Sequence, residues 1–132
     1  MARRFPSSLV IGADTVIEID GMILGKPQSL QDARQMLGRL SGRKHQVVTA
    51  VCMIRMECRA ECVFCDCTEV VFREISGSVI EEYVSKVDTM DKAGAYAIQE
   101  HGSLIIEEIK GSMDNVIGFP AEKFMKAVSL LL

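Results

Sequence analysis

The run Leu9-Val10-Ile11-Gly12-Ala13-Asp14-Thr15-Val16-Ile17-Glu18-Ile19-Asp20-Gly21-Met22-Ile23-Leu24-Gly25-Lys26-Pro27 decides the fold. Leu9 to Ile11 reads as a strand entering Gly12, and Val16 to Ile19 continues it with residues that favour extended backbone. Asp20-Gly21 is a two-residue hairpin signal, after which Met22 to Leu24 return. Pro27 lacks an amide hydrogen and holds Lys26 extended, so Gly25-Lys26-Pro27 is a turn. Two chemical groups stand on this scaffold. Asp14 reads as an isolated carboxylate at a strand end, behind small residues that let a ligand approach the backbone, or as a plain turn aspartate. Lys26 follows in the turn. A carboxylate with a lysine close behind it suits a metal-assisted reaction on a phosphorylated substrate.

Downstream, Ser29 reads as an N-cap and Asp32 as its capping-box partner. Leu30, Ala33, Leu37 and Leu40 then fall on one helical face, and Ser41-Gly42 ends the helix. His45 to Met56 and Val63 to Phe72 read as long antiparallel strands joined by a charged turn near Glu57 to Glu61. Val79, Ile80, Tyr83 and Val84 fit a short helix. Asp91-Lys92-Ala93-Gly94 is a loop or a new helix start, and Leu104 to Ile109 a further strand. Lys110-Gly111-Ser112 is a turn. Pro120 opens a last helix with Phe124, Val128 and Leu131 on its inner face. Strands alternating with helices predict one α/β domain with a twisted mixed sheet flanked by helices.

The bulk properties narrow the function. A chain of 132 residues with a net charge of −3 has room for one sizeable core and no basic footprint for nucleic acid. No apolar stretch is long enough to cross a bilayer, and no hydrophobic leader follows Arg3-Arg4, so a cytoplasmic location is expected. Cys58, Cys62, Cys65 and Cys67 lack the paired spacing of structural zinc sites. On a strand, Cys65 and Cys67 share a face that Cys62 does not. They are expected to be free thiols packed as small hydrophobes.

Other candidate groups each have two readings. Thr15 contacts the same ligand as Asp14, or is a β-former on a solvated face. Lys92 contacts a second phosphate, or pairs with Asp91. Gln99 reads a base edge with its donor and acceptor together, or caps a loop. His45 is expected to make a structural hydrogen bond. Gly-Lys-Pro lacks the glycine run and Lys-[Ser/Thr] ending of a Walker loop, and no nucleophile elbow is present.

The ordered set Gly12-Ala13-Asp14-Thr15-Val16, Gly25-Lys26-Pro27, Leu40-Ser41-Gly42 with His45 and Thr49, Asp91-Lys92-Ala93-Gly94-Ala95-Tyr96, Ile98-Gln99, Gly111-Ser112, Asn115-Val116 and Gly118-Phe119-Pro120 resembles the Maf family. These are septum-formation-inhibitor-like nucleoside triphosphate pyrophosphatases that share a fold with the inosine-triphosphate pyrophosphatases. The resemblance runs from about residue 9 to the C-terminus. It implies hydrolysis between the α and β phosphates, giving a monophosphate and pyrophosphate with Mg²⁺ or Mn²⁺. Asp14 then holds the metal or prepares the attacking water, and Lys26 and Lys92 clamp phosphate. Thr15 and Gln99 match the branch that resembles dTTP/UTP-selective members, and Asn115 supports the closing loop. The family's N-terminal Ser-x-Ser-Pro-Arg-Arg loop has no counterpart here, so the expectation is an N-terminally truncated version of the fold. The alternative is a homologue that binds nucleotides or a protein partner without turnover. An open sheet edge and uncovered apolar surface lead us to expect a homodimer or larger oligomer.

Overall fold

A computed structural model describes residues 1–131. Its centre is a five-stranded sheet in the order β2-β1-β3-β4-β5. Strand β1 (Val10–Ile19) turns through Asp20 and Gly21, at φ 52° and 76°, into β2 (Met22–Leu24). Positive φ at both central residues is what a two-residue hairpin turn requires. The Glu18 carboxylate also accepts the Gly21 amide over 2.7 Å. Strands β3 (Lys44–Arg55) and β4 (Ala60–Phe72) form a long hairpin, and β5 (Ile106–Lys110) closes the far edge.

Every ladder is antiparallel. The α/β class and the flanking helices are as expected, but the parallel pairing of a mixed sheet is not made among the described residues. The reason lies in the connections. Strands β1 to β4 are linked mainly by hairpins, and α1 (Leu30–Leu40) carries the chain from edge strand β2 to β3.

Side chains alternate across each strand, so the registers define two faces. Ile17, Val47, Thr68 and their same-face neighbours His45, Val51, Val70 and Phe72 are buried. On the opposite face of β1, β3 and β4 no residue is buried. Helix α1 packs Ala33, Leu37 and Leu40, all fully buried, into the core. Leu30, expected on that face, is 49% exposed because it opens the helix beyond the edge of the core. Ser29 caps α1 by accepting the Asp32 amide over 3.0 Å. The Asp32 carboxylate returns the bond to the amide of Gln28. Helix α2 (Gly77–Lys86) contributes the buried Tyr83.

Three further departures from expectation have local causes. The strand expected from Leu104 begins at Ile106, because Gly102–Leu104 forms a 3-10 turn behind a left-handed His101. A short helix α3 (Met113–Ile117) lies between the Lys110-Gly111-Ser112 turn and the last helix, where no element was expected. Its signal was Ser112, whose hydroxyl accepts the Asn115 amide. The cysteines are free, yet Cys58, Cys65 and Cys67 are exposed rather than packed, since Cys65 and Cys67 fall on the open sheet face. Helix α4 (Ala121–Leu131) lies at the surface with Phe124, Val128 and Leu131 half-buried. No described helix is long and apolar enough to cross a membrane.

Candidate functional site

Strand β2 pairs with β1 only at Ile17 to Ile19, so Val10 to Val16 form a free edge among the described residues. Asp14 sits in that edge. It is not at a strand end as its glycine neighbour suggested, because the ladder to β3 runs through it, pairing it with Ala50. A cavity of about 380 Å³ opens beside it, lined by Asp14, Thr15, Ile17, Lys26 and Val47 on the sheet side. Asp91, Lys92, Tyr96 and the segment Val116–Gly118 line the other walls. The Thr15 hydroxyl is 2.9 Å from that of Thr49, its cross-strand partner, which is fully buried. That bond fixes the rotamer of Thr15 at the cavity floor.

Two loops distant in sequence bring the lysines together. The Gly94 amide donates to the Gly25 carbonyl over 3.0 Å, tying the loop of Lys92 to the turn of Lys26. Gly94 has φ 69° and leaves no room for a side chain against Ile17. Lys26 is exposed and makes no ion pair among the described residues. Lys92 is different. Its ammonium reaches the Asp88 carbonyl at 2.9 Å, the Asp91 carboxylate at 2.9 Å and the Glu100 carboxylate at 3.0 Å. An ammonium has three donors, and all have partners. The bond to Asp91 raises the Lys92 pKa, and the same bond holds the Asp91 carboxyl below its ordinary value.

Tyr96 forms part of the wall, and its hydroxyl is 2.7 Å from His45 Nε2. Both residues are buried and stack edge-on with Phe72. Burial lowers the His45 pKa to about 4, so its ring is neutral near pH 7. The expected structural hydrogen bond of His45 is therefore made, to a residue that shapes the cavity.

Asn115 is fully buried behind the wall segment Val116–Gly118. Its amide nitrogen donates to the Val47 and Asp66 carbonyls and to the Thr68 hydroxyl. It braces the segment and does not line the cavity. Gln99 is exposed and does not line it either. Asp91 and Tyr96 were not singled out by sequence as site residues. The adjacency of Asp91 to Lys92 was the available signal.

No group of three or more His, Cys, Asp or Glu side chains is placed to hold a metal among the described residues. Asp14 and Asp91 line the cavity, Asp91 with one carboxylate oxygen already taking a bond from Lys92. That donor set fits Mg²⁺ or Mn²⁺ shared with water and substrate phosphates, because such hard cations commonly take only one or two protein carboxylates.

The fold and cavity together define an α/β protein whose sheet edge, at Asp14, borders a cavity shared with two lysine-bearing loops. The chain belongs to the Maf family: the family model described as "Maf-like protein" matches residues 1–131. It is 48% identical over 130 residues to a dTTP/UTP pyrophosphatase of Akkermansia muciniphila, covering 96% of this chain and 66% of that protein. A dTTP/UTP pyrophosphatase of Bacillus velezensis is 49% identical over 93% of this chain and 64% of its own length. One from Pyrococcus furiosus is 42% identical, over 98% and 67% respectively. The chain thus spans about two thirds of the length of the curated relatives it matches.

Proposed function

We propose that this chain carries the nucleotide site of a metal-dependent nucleoside triphosphate pyrophosphatase acting on dTTP or UTP. The observation that carries this reading is the convergence of Asp14, Lys26, Asp91 and Lys92 on one cavity. In the reaction, water attacks the α-phosphorus, the bond to the bridging oxygen breaks, and pyrophosphate leaves. Asp14 holds the metal or takes the proton of the attacking water. Lys26, which makes no ion pair among the described residues, meets the charge that builds on the phosphates. Thr15 and the Tyr96 wall bound the space for the nucleoside, and Asn115 holds the opposite wall in place. A bound divalent ion supplies Lewis-acid polarisation of the phosphate and lowers the pKa of water.

Release of pyrophosphate from dTTP and UTP with Mg²⁺ or Mn²⁺ tests the proposal, with Asp14→Asn as the control. Turnover that survives Asp14→Asn, or none in the parent chain, rejects it. The full occupancy of the Lys92 donors favours a second reading, nucleotide binding without turnover. Calorimetric binding of dTTP without product selects that one.

The open sheet face bears the exposed Ile23 and Val63, beside Cys65 and Cys67. Self-association over this face is part of the same proposal. Light scattering that finds a strict monomer at high concentration rejects it.

A further inference from the structure

The charged residues that line the cavity balance, two lysines against two aspartates, and a further carboxylate reaches one of the lysines from outside it. Lys26, Lys92, Asp14 and Asp91 all line it, and Glu100, which does not, reaches Lys92 at 3.0 Å. We propose that Glu100 is an internal competitor for Lys92 and sets how strongly the cavity binds polyphosphate. The inference rests on reading the cavity as a phosphate site.

The geometry gives Glu100 this place. Lys92 has no donor left over, so a phosphate oxygen reaches its ammonium only by displacing a partner. The Asp88 carbonyl is backbone, and Asp91 is the chain neighbour of Lys92. Glu100 approaches from eight positions along the chain, with its side chain 48% exposed. With its carboxylate partner open to solvent, such a pair is weak and readily exchanged. The Asp91 carboxylate, also exposed, can turn away as well, but Asp91 already lines the cavity. Glu100 brings in a charge from outside it and can swing into solvent while the loop stays fixed. A triphosphate, with several charges to offer, outcompetes one carboxylate more easily than a monophosphate does.

Calorimetry at low, fixed ionic strength reads the effect with inorganic tripolyphosphate as the probe. Glu100→Gln keeps an acceptor for Lys92 but removes the charge, and is expected to tighten binding about twofold to tenfold. Glu61→Gln removes a charge from an exposed residue without an ion pair among the described residues, and is expected to change nothing comparable. In a Lys92→Met background the gain from Glu100→Gln is expected to vanish. An equal gain in that background, an equal gain from Glu61→Gln, or no gain at all overturns the inference. So does failure of parent and variant alike to bind tripolyphosphate. A chain that shows the expected gains yet releases no pyrophosphate from dTTP loses the hydrolytic reading alone.

Discussion

Gly94 lies so close to Ile17 that a Cβ added to it would stand 2.5 Å from the Ile17 Cδ1. The loop that carries Lys92 can sit on β1 only because that side chain is absent. Gly94→Ala is expected to lower stability by about 1–3 kcal/mol, from overpacking and from a left-handed backbone. The clashing atom is the end of an isoleucine, so Ile17→Val removes it. In urea titrations the double variant is expected to recover part of the loss, with a coupling above about 0.5 kcal/mol. Strictly additive effects would show that the contact is not the cause.

Lys26 and Lys92 are expected to fail differently when replaced. Lys26→Ala should reduce pyrophosphate release about 10²–10³-fold with little change in melting temperature. Lys92→Ala should lower both, because it also strips Asp91 and the Asp88 carbonyl of their donor. Identical thermal effects of the two changes would contradict the different surroundings described for them.

Asn115→Ala orphans the acceptors that its amide satisfies and is expected to cost about 1–3 kcal/mol. Asn115→Asp should be worse at neutral pH, since a carboxylate then faces two carbonyl oxygens. Acidification should close part of that gap, because the neutral acid can donate one bond. Chemical denaturation at two pH values checks the order of the three proteins.

His45 makes stability depend on pH in one direction. Its pKa is 6.5 when unfolded and about 4 when buried in the folded chain. Between those values the unfolded ring takes up a proton that the folded ring refuses, so stability rises with pH. Below about pH 4 and above pH 6.5 this group contributes no slope. The full difference corresponds to about 3 kcal/mol. Subtracting the profile of His45→Gln from that of the parent should isolate this limb, and a flat difference would refute it.

The thiols should separate by accessibility. Cys58, Cys65 and Cys67 are exposed, whereas Cys52 and Cys62 are half-buried. Under native conditions a maleimide is expected to add quickly at the first group and slowly at the second. Peptide mass spectrometry after brief labelling reads this directly.

Much of the fold was legible because its signals are local. Asp20-Gly21 names its own turn, Ser29 and Asp32 their own cap, and the β3 and β4 runs their extended form. What escaped depended on neighbours remote in sequence. The exposure of Cys65 follows from an open sheet face, and no residue of β4 alone reports that. The position of Asp14 in mid-strand is set by its ladder to Ala50, which outweighs the weak β preference of Gly12 and Ala13. Lys92 was identified by its motif, but the competing carboxylate of Glu100 is a tertiary fact. Asn115 was expected near a closing loop, and its role as a brace between two strands required their register.

That brace also orders events in time. The Asn115 amide closes contacts across 68, 49 and 47 residues, onto atoms that are adjacent only once β3 and β4 have zipped together. Such distant closures pay their entropy late, after local hairpins have formed. The wall of the cavity therefore has its full set of acceptors only on a completed hairpin, so the integrity of the site is tied to the register of strands remote from it in sequence.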